Sequence, residues 1–86
     1  MKNNLLSIVN KIFFEQLSIF DKITEESKLF ELGVDSIGFM ILIVYLENEL
    51  GIEIDVEKIL DKQYDTITVG YLIEIISGVI ANEETD

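Results

Sequence analysis

Eighty-six residues and 9.8 kDa hold one hydrophobic core and leave no room for a second lobe. Hydrophobic residues reach 49% and mean hydropathy is +0.35, so the chain folds despite 17 acidic residues against 6 lysines, a net charge of −11 and a pI near 4.1. That balance argues against nucleic-acid backbones and anionic membrane surfaces, and the lack of His, Cys, Arg and Trp excludes thiol nucleophiles, Cys/His zinc sites, imidazole bases and guanidinium clamps.

Taken in chain order, Leu5, Val9, Ile12, Phe13 and Leu17 follow the i, i+4, i+7, i+8 rule of a first helix with one apolar stripe, for which Asn3 or Asn4 can serve as cap. Its Met1-Lys2 start resembles the charged end of a signal peptide. Ser7, Asn10 and Lys11 interrupt the apolar stretch, however, and it reads as mature sequence. Residues 18–34 form a long connection, with Ile23, Leu29, Phe30 and Leu32 as its expected anchors; such a loop in a small domain is anchored or functional.

A second helix is expected over 35–50, with Asp35 or Ser36 at its N-cap end and Gly51 as the left-handed residue that stops it. Ile52 can then fold back toward Leu46. A buried strand competes for residues 38–45, but a breaker-free run of this length with a stop signal at each end exceeds an ordinary strand. Asp55 caps a short turn over Val56, Ile59 and Leu60. A last helix starts at Thr68, its stripe carried by Val69, Leu72, Ile73, Ile76, Val79 and Ile80, and residues 82–86 read as a polar, frayed tail.

These elements describe one all-α domain over 1–86, with an ordered core of about 4–81: a small bundle of three main helices and one short one, with the longest loop between the first two. No cysteine points to an oxidising compartment. The longest apolar run, Ile37 to Leu46, falls well short of the roughly 18 residues of a membrane span, so a cytoplasmic location is the expectation. Charge is uneven: residues 1–34 carry 4 Lys against 5 acids, and residues 35–86 carry 2 Lys against 12.

The second helix has more apolar surface than one core can use. Phe39, Leu42, Ile43, Leu46 and Leu50 make the inward stripe, yet Ile37, Ile41 and Val44 form another, continued by Asn48. Large apolar side chains on a second face mark a helix that docks against a partner. Burial of Val44, and less readily of Ile41, by the rest of the bundle is the alternative. Glu47, Glu49 and Glu53 would supply rim charge toward a basic partner, or simply a solvated helix end.

Ser36 stands at the start of this helix, directly after the loop and Gly33. Unpaired N–H groups and the helix dipole favour an anion there, so a phosphate attached to its hydroxyl would be well placed. With no His in the chain a hydrolase triad is excluded, and any chemistry at Ser36 makes it a substrate. Asp-Ser before an apolar helix is otherwise simply a capping pair.

The string Leu29-Phe30-Glu31-Leu32-Gly33-Val34-Asp35-Ser36-Ile37, a helix ending Leu46-Glu47-Asn48-Glu49-Leu50-Gly51-Ile52-Glu53-Ile54, and Ile67-Thr68-Val69-Gly70-Tyr71-Leu72 together resemble the acyl carrier protein family, which includes the peptidyl carrier domains. The resemblance spans about Leu5 to Ile80. It implies that a phosphopantetheinyl transferase moves 4′-phosphopantetheine from coenzyme A to Ser36, and that the arm's thiol carries an acyl or aminoacyl group as a thioester. The sulfur missing from the chain would thus be imported. The resemblance further implies that Asp35 helps present the serine, that Ile37, Ile41, Val44, Glu47 and Asn48 meet partner enzymes, and that the chain is a monomer without catalysis of its own. Phe30, Leu46, Ile59 and Leu60 would line a space that shelters cargo, or serve as ordinary core.

Many fatty-acid carriers have acidic residues two and five positions after the modified serine, where this chain has Gly38 and Ile41. Peptidyl carriers often lack the Asp that Asp35 supplies, and residues 61–66 lengthen the usual connection to the last helix. A free-standing carrier serving a polyketide, non-ribosomal peptide or amino-acid activation pathway is the expectation, with housekeeping fatty-acid synthesis as the alternative. From other classes, an unmodified helical adaptor remains open. A cation-binding acidic domain is disfavoured because no Asp-x-Asp-x-Asp-Gly loop exists. No metal site is expected, and a loading enzyme and a downstream synthase or transferase are the implied partners.

Overall fold

The structure, a computed structural model, describes the backbone of residues 2–84 and the side chains of residues 4–81. Helices run in the order α1 (Lys2–Gln16), α2 (Ser36–Leu50), α3 (Val56–Ile59) and α4 (Val69–Glu84), with a 3-10 turn at Tyr64–Thr66 between the last two. Among the described residues there is no strand beyond an isolated bridge between Lys28 and Thr68. The expected all-α bundle of three main helices and one short one is thus the fold.

The apolar stripes read from the sequence are the ones that meet. Leu5, Val9, Ile12 and Phe13 of α1, Phe39, Leu42, Ile43 and Leu46 of α2, Ile59 of α3, and Val69, Leu72, Ile73 and Ile76 of α4 form one buried cluster. α1 packs against both α2 and α4. Among the described residues no polar or charged residue is buried, so apolar burial, at roughly 25 cal/mol per Å², is the main force that assembles the bundle.

Local chemistry sets the helix ends. Asp35 holds extended backbone and its Oδ1 accepts the Gly38 N–H at 2.8 Å, capping α2. At the other end Gly51 adopts φ +66°, and the N–H groups of Gly51 and Ile52 both reach the Glu47 carbonyl, at 2.8 and 3.3 Å. Ile52 is thereby turned into the same core as Leu46. Asp55 caps α3 through the Glu57 N–H at 3.1 Å, and Thr68 caps α4 through the Tyr71 N–H at 3.0 Å.

Three expectations need correction. α1 begins at Lys2, so Asn3 and Asn4 lie inside the helix and neither occupies the non-helical backbone of a cap. α4 continues to Glu84, so the expected frayed tail is helical over 82–84; residues 85 and 86 lie outside the described part. Phe30 is 62% exposed rather than an anchor of the loop. The Leu29 N–H binds the Ile67 carbonyl at 3.0 Å and turns Leu29 inward, leaving the following side chain outside.

The long connection is anchored along its length. Thr24 and Ser27 close a turn on each other, with the Ser27 N–H on the Thr24 carbonyl and the Thr24 N–H on Ser27 Oγ. The Glu25 and Ser27 carbonyls then accept the Gly70 and Val69 N–H groups at 2.9 and 2.8 Å. This fit needs a glycine: a Cβ at residue 70 would stand 2.9 Å from the Glu25 carbonyl oxygen. Residues 29–33 form a turn that ends at Gly33, whose φ of +83° only glycine adopts without strain, and the Val34 N–H returns to the Leu29 carbonyl at 3.1 Å. The chain then enters α2 with Val34 buried and Ser36 exposed.

Candidate functional site

Ser36 is the first residue of α2 and its side chain faces solvent. The capping task falls to Asp35, which leaves the Ser36 hydroxyl without a structural duty. The Phe39 N–H makes the first helical bond to the Asp35 carbonyl at 2.8 Å, and Gly38 is taken by the Asp35 carboxylate. The N–H groups of Ser36 and Ile37 have no acceptor among the described residues. A phosphodiester on Ser36 Oγ would meet these open donors and the positive end of the helix dipole, so the residues present fit such a group.

Gly38 is buried behind this serine. A Cβ there would lie 3.3 Å from Asp35 Oδ1 and 3.4 Å from Val34 Cγ1. An acidic side chain at residue 38 would crowd the cap and repel its carboxylate, a physical reason for glycine at this position.

Along α2 the outward stripe is complete and wider than expected. Ile37 is 71% exposed, Met40 and Val44 are each 48% exposed, Tyr45 is exposed and Ile41 is half-buried. Together with Ser36 they line a shallow groove of about 480 Å³. Burial of Val44 by the rest of the bundle does not occur. Met40 and Tyr45 were not singled out from the sequence, although counting i, i+3, i+4, i+7, i+8 from Ile37 reaches both. Asn48, further along, is exposed.

Glu47 has a more specific task than rim charge. It is half-buried, and its Oε2 accepts the Ile54 N–H at 2.8 Å, fastening the segment that leads into α3. Glu49 is exposed and lies 4.0 Å from Lys11 Nζ, a surface pair worth little. Leu46 and Ile59 are core, whereas Leu60 is 45% exposed beyond the end of α3. Leu60 and Phe30 are therefore not ordinary core.

Another residue lies behind the serine. Tyr64, half-buried in the 3-10 turn, donates its hydroxyl to the Val34 carbonyl and stacks its ring edge-on against Phe39, with centroids 5.8 Å apart. Burial, and secondarily the Asp35 carboxylate, push its pKa above the ordinary tyrosine value. The sequence carried a faint signal: an aromatic ring with a polar tip inside the polar run 61–66. Elsewhere, Phe14 and Phe20 are exposed and stack edge-to-face at 5.0 Å beside the end of α1.

A small helical bundle that leaves one serine hydroxyl free at a helix N-terminus, beside an uncharged apolar face, has the form of a protein modified and handled by others. The family model described as phosphopantetheine attachment site matches residues 9–68, a span that includes the loop, all of α2 and the turn bearing Tyr64. The chain belongs to this phosphopantetheine-binding family of carrier domains. No curated protein and no solved structure gives a significant match. Members carry covalently attached 4′-phosphopantetheine, are not themselves catalytic, and interact with a phosphopantetheinyl transferase and with partner enzymes. Among the described residues no helix is long and apolar enough to cross a membrane.

Proposed function

We propose that the chain is a carrier domain whose 4′-phosphopantetheine is attached at Ser36. The observation that carries this reading is the division of labour at the start of α2: Asp35 caps the helix while the neighbouring hydroxyl stays exposed beside two open N–H donors. When bound, the arm supplies a thiol that holds an acyl or aminoacyl group as a thioester. The chain's own contribution is to present the serine and offer an address. The chain has no imidazole or thiolate to take the serine's proton, and the Asp35 carboxylate beside it is engaged in the cap, so the base is assigned to the transferase.

Ile37, Met40, Ile41, Val44 and Tyr45, with Asn48 at the far end, form the surface that partner enzymes meet. Glu47 stays committed to Ile54, and exposed Glu49 and Glu53 provide the acidic rim. Asp35 has a second role in recognition by the transferase, beyond its cap. The uncharged stretch between Ser36 and Leu46 favours partners with apolar rather than strongly basic docking surfaces. It supports service to a polyketide, non-ribosomal peptide or amino-acid activation pathway, and a cytoplasmic location is a separate part of the proposal.

Incubation with coenzyme A and a broad-specificity transferase, followed by intact-mass measurement, tests the reading. Wild type gains the mass of one phosphopantetheine and Ser36→Ala gains none. Absence of the gain across several transferases would favour the unmodified adaptor. Efficient loading by a fatty-acid malonyl transferase would move the assignment to fatty-acid synthesis.

A further inference from the structure

Ser36 lies between two residues that one distant side chain holds. Tyr64, in the linker from α3 to α4, bonds the Val34 carbonyl two residues before the serine and packs its ring on Phe39 three residues after it. Asp35 and Gly38 are tied to each other inside this span, while Ser36 and Ile37 remain exposed. The flanks of the serine are therefore clamped and its reactive part is free. Sequence separation makes the clamp non-local: no helix or turn of α2's own would keep Val34 against the linker.

We infer that Tyr64 is a positioning residue for modification of Ser36: its hydroxyl on Val34 and its ring on Phe39 hold the entrance of α2 in the form the transferase binds. The inference rests on Ser36 being the modified residue. It departs from that reading by assigning a task to the segment 61–66, which otherwise only connects two helices. Without the clamp the Val34–Asp35 segment keeps its own bonds to Leu29 and to the first turn of α2 but loses its tie to the linker and gains freedom, and a partner that binds one conformation sees its apparent affinity fall by the fraction that remains competent. The phosphoryl transfer itself is unaltered once docking has occurred. The consequence is a higher KM for the carrier at nearly constant kcat.

The test compares Tyr64→Phe, which keeps the ring and loses the donor, with wild type and with Tyr71→Phe. The Tyr71 hydroxyl reaches the Lys58 carbonyl at 3.4 Å, far from Ser36 in the chain, and controls for loss of a tyrosine hydroxyl. Circular dichroism first establishes that wild type and every variant, Tyr64→Leu included, are folded at the assay temperature. Tyr64→Phe is expected to raise the KM of the apo carrier for the transferase about three- to tenfold, the scale of one lost hydrogen bond, with kcat within about twofold. Exchange of the Gly38 and Phe39 amides should accelerate by a similar factor while core amides of α4 stay protected. Tyr64→Leu, which also removes the ring, should exceed both effects, and Tyr71→Phe should show neither.

Unchanged KM and unchanged Gly38 exchange in Tyr64→Phe would overturn the inference. So would equal acceleration at every amide, which would make the residue a general stabiliser. If wild type itself takes no phosphopantetheine, the assignment of Ser36 fails separately, and unaltered Gly38 protection in Tyr64→Phe then removes the clamp as well.

Discussion

α2 and α4 both follow irregular backbone, yet they start in opposite ways. At α4 each early donor is satisfied: Val69 and Gly70 by carbonyls of the long loop, Tyr71 by the Thr68 hydroxyl and Leu72 by the Thr68 carbonyl. At α2 only the third and fourth donors are satisfied, both by Asp35, and the Ser36 and Ile37 N–H groups stay open. Helix ends within a fold are normally closed by some partner. The closed start locks the loop in place; the open one leaves room for a group that comes from outside. The same loop serves both, pinned to α4 by residues 25–29 and released into α2 past Gly33.

The contrast can be broken most severely at the closed end. Gly70→Ala places a Cβ against the Glu25 carbonyl, and overpacking of this kind costs about 1–3 kcal/mol, partly offset by alanine's helix preference. A thermal melt should show a fall of about 5–15 °C. Ser36 would still be modified whenever the variant is folded. An unchanged melting temperature would mean that the loop is not held against α4.

At the open end the effects on stability are smaller and those on function larger. Asp35→Ala removes the cap and should cost about 1 kcal/mol, whereas Asp35→Asn keeps an oxygen for the Gly38 N–H and should melt close to wild type. If the carboxylate also serves the transferase, both variants are modified more slowly. Rapid modification of Asp35→Asn would restrict Asp35 to capping.

The outer face of α2 is the mildest place to intervene. Val44 is 48% exposed, so Val44→Glu should change stability by no more than about 0.5 kcal/mol. Transfer catalysed by the phosphopantetheinyl transferase should nevertheless show a raised KM for this variant, because a charge would have to be buried in an apolar contact. Kinetics identical to wild type would remove Val44 from the docking face.

What was legible in the sequence follows range. Helix-end signals are local, so Gly51, Asp55, the Asp35-Ser36 pair and the start of the last helix at Thr68 were legible from immediate neighbours, although which of Asp35 and Ser36 caps α2 was not, and the helical spacing of Leu42, Ile43 and Leu46 marked the buried side of α2. Ser36 could be singled out because family resemblance and helix-end chemistry meet there. Side chains just past a buried neighbour were harder: Phe30 and Leu60 are apolar, but Leu29 and Ile59 take the core positions and leave them outside. The fit of Gly70 against Glu25 and the reach of Tyr64 to Val34 join segments far apart in the chain, and spacing rules carry no information about such pairs. Met40 and Tyr45 were within reach of those rules. They stand at the i+3 and i+8 positions of the stripe that starts at Ile37.

The most direct measurement is to locate the added group. After reaction with coenzyme A and a transferase, trypsin releases the peptide Leu29–Lys58, in which Ser36 is the only serine and no threonine occurs. Fragmentation should place the whole of the added mass on Ser36. Mass found on a peptide carrying Ser7, Ser18, Ser27 or Ser77, or on none, would contradict the view that the open start of α2 is built to receive it.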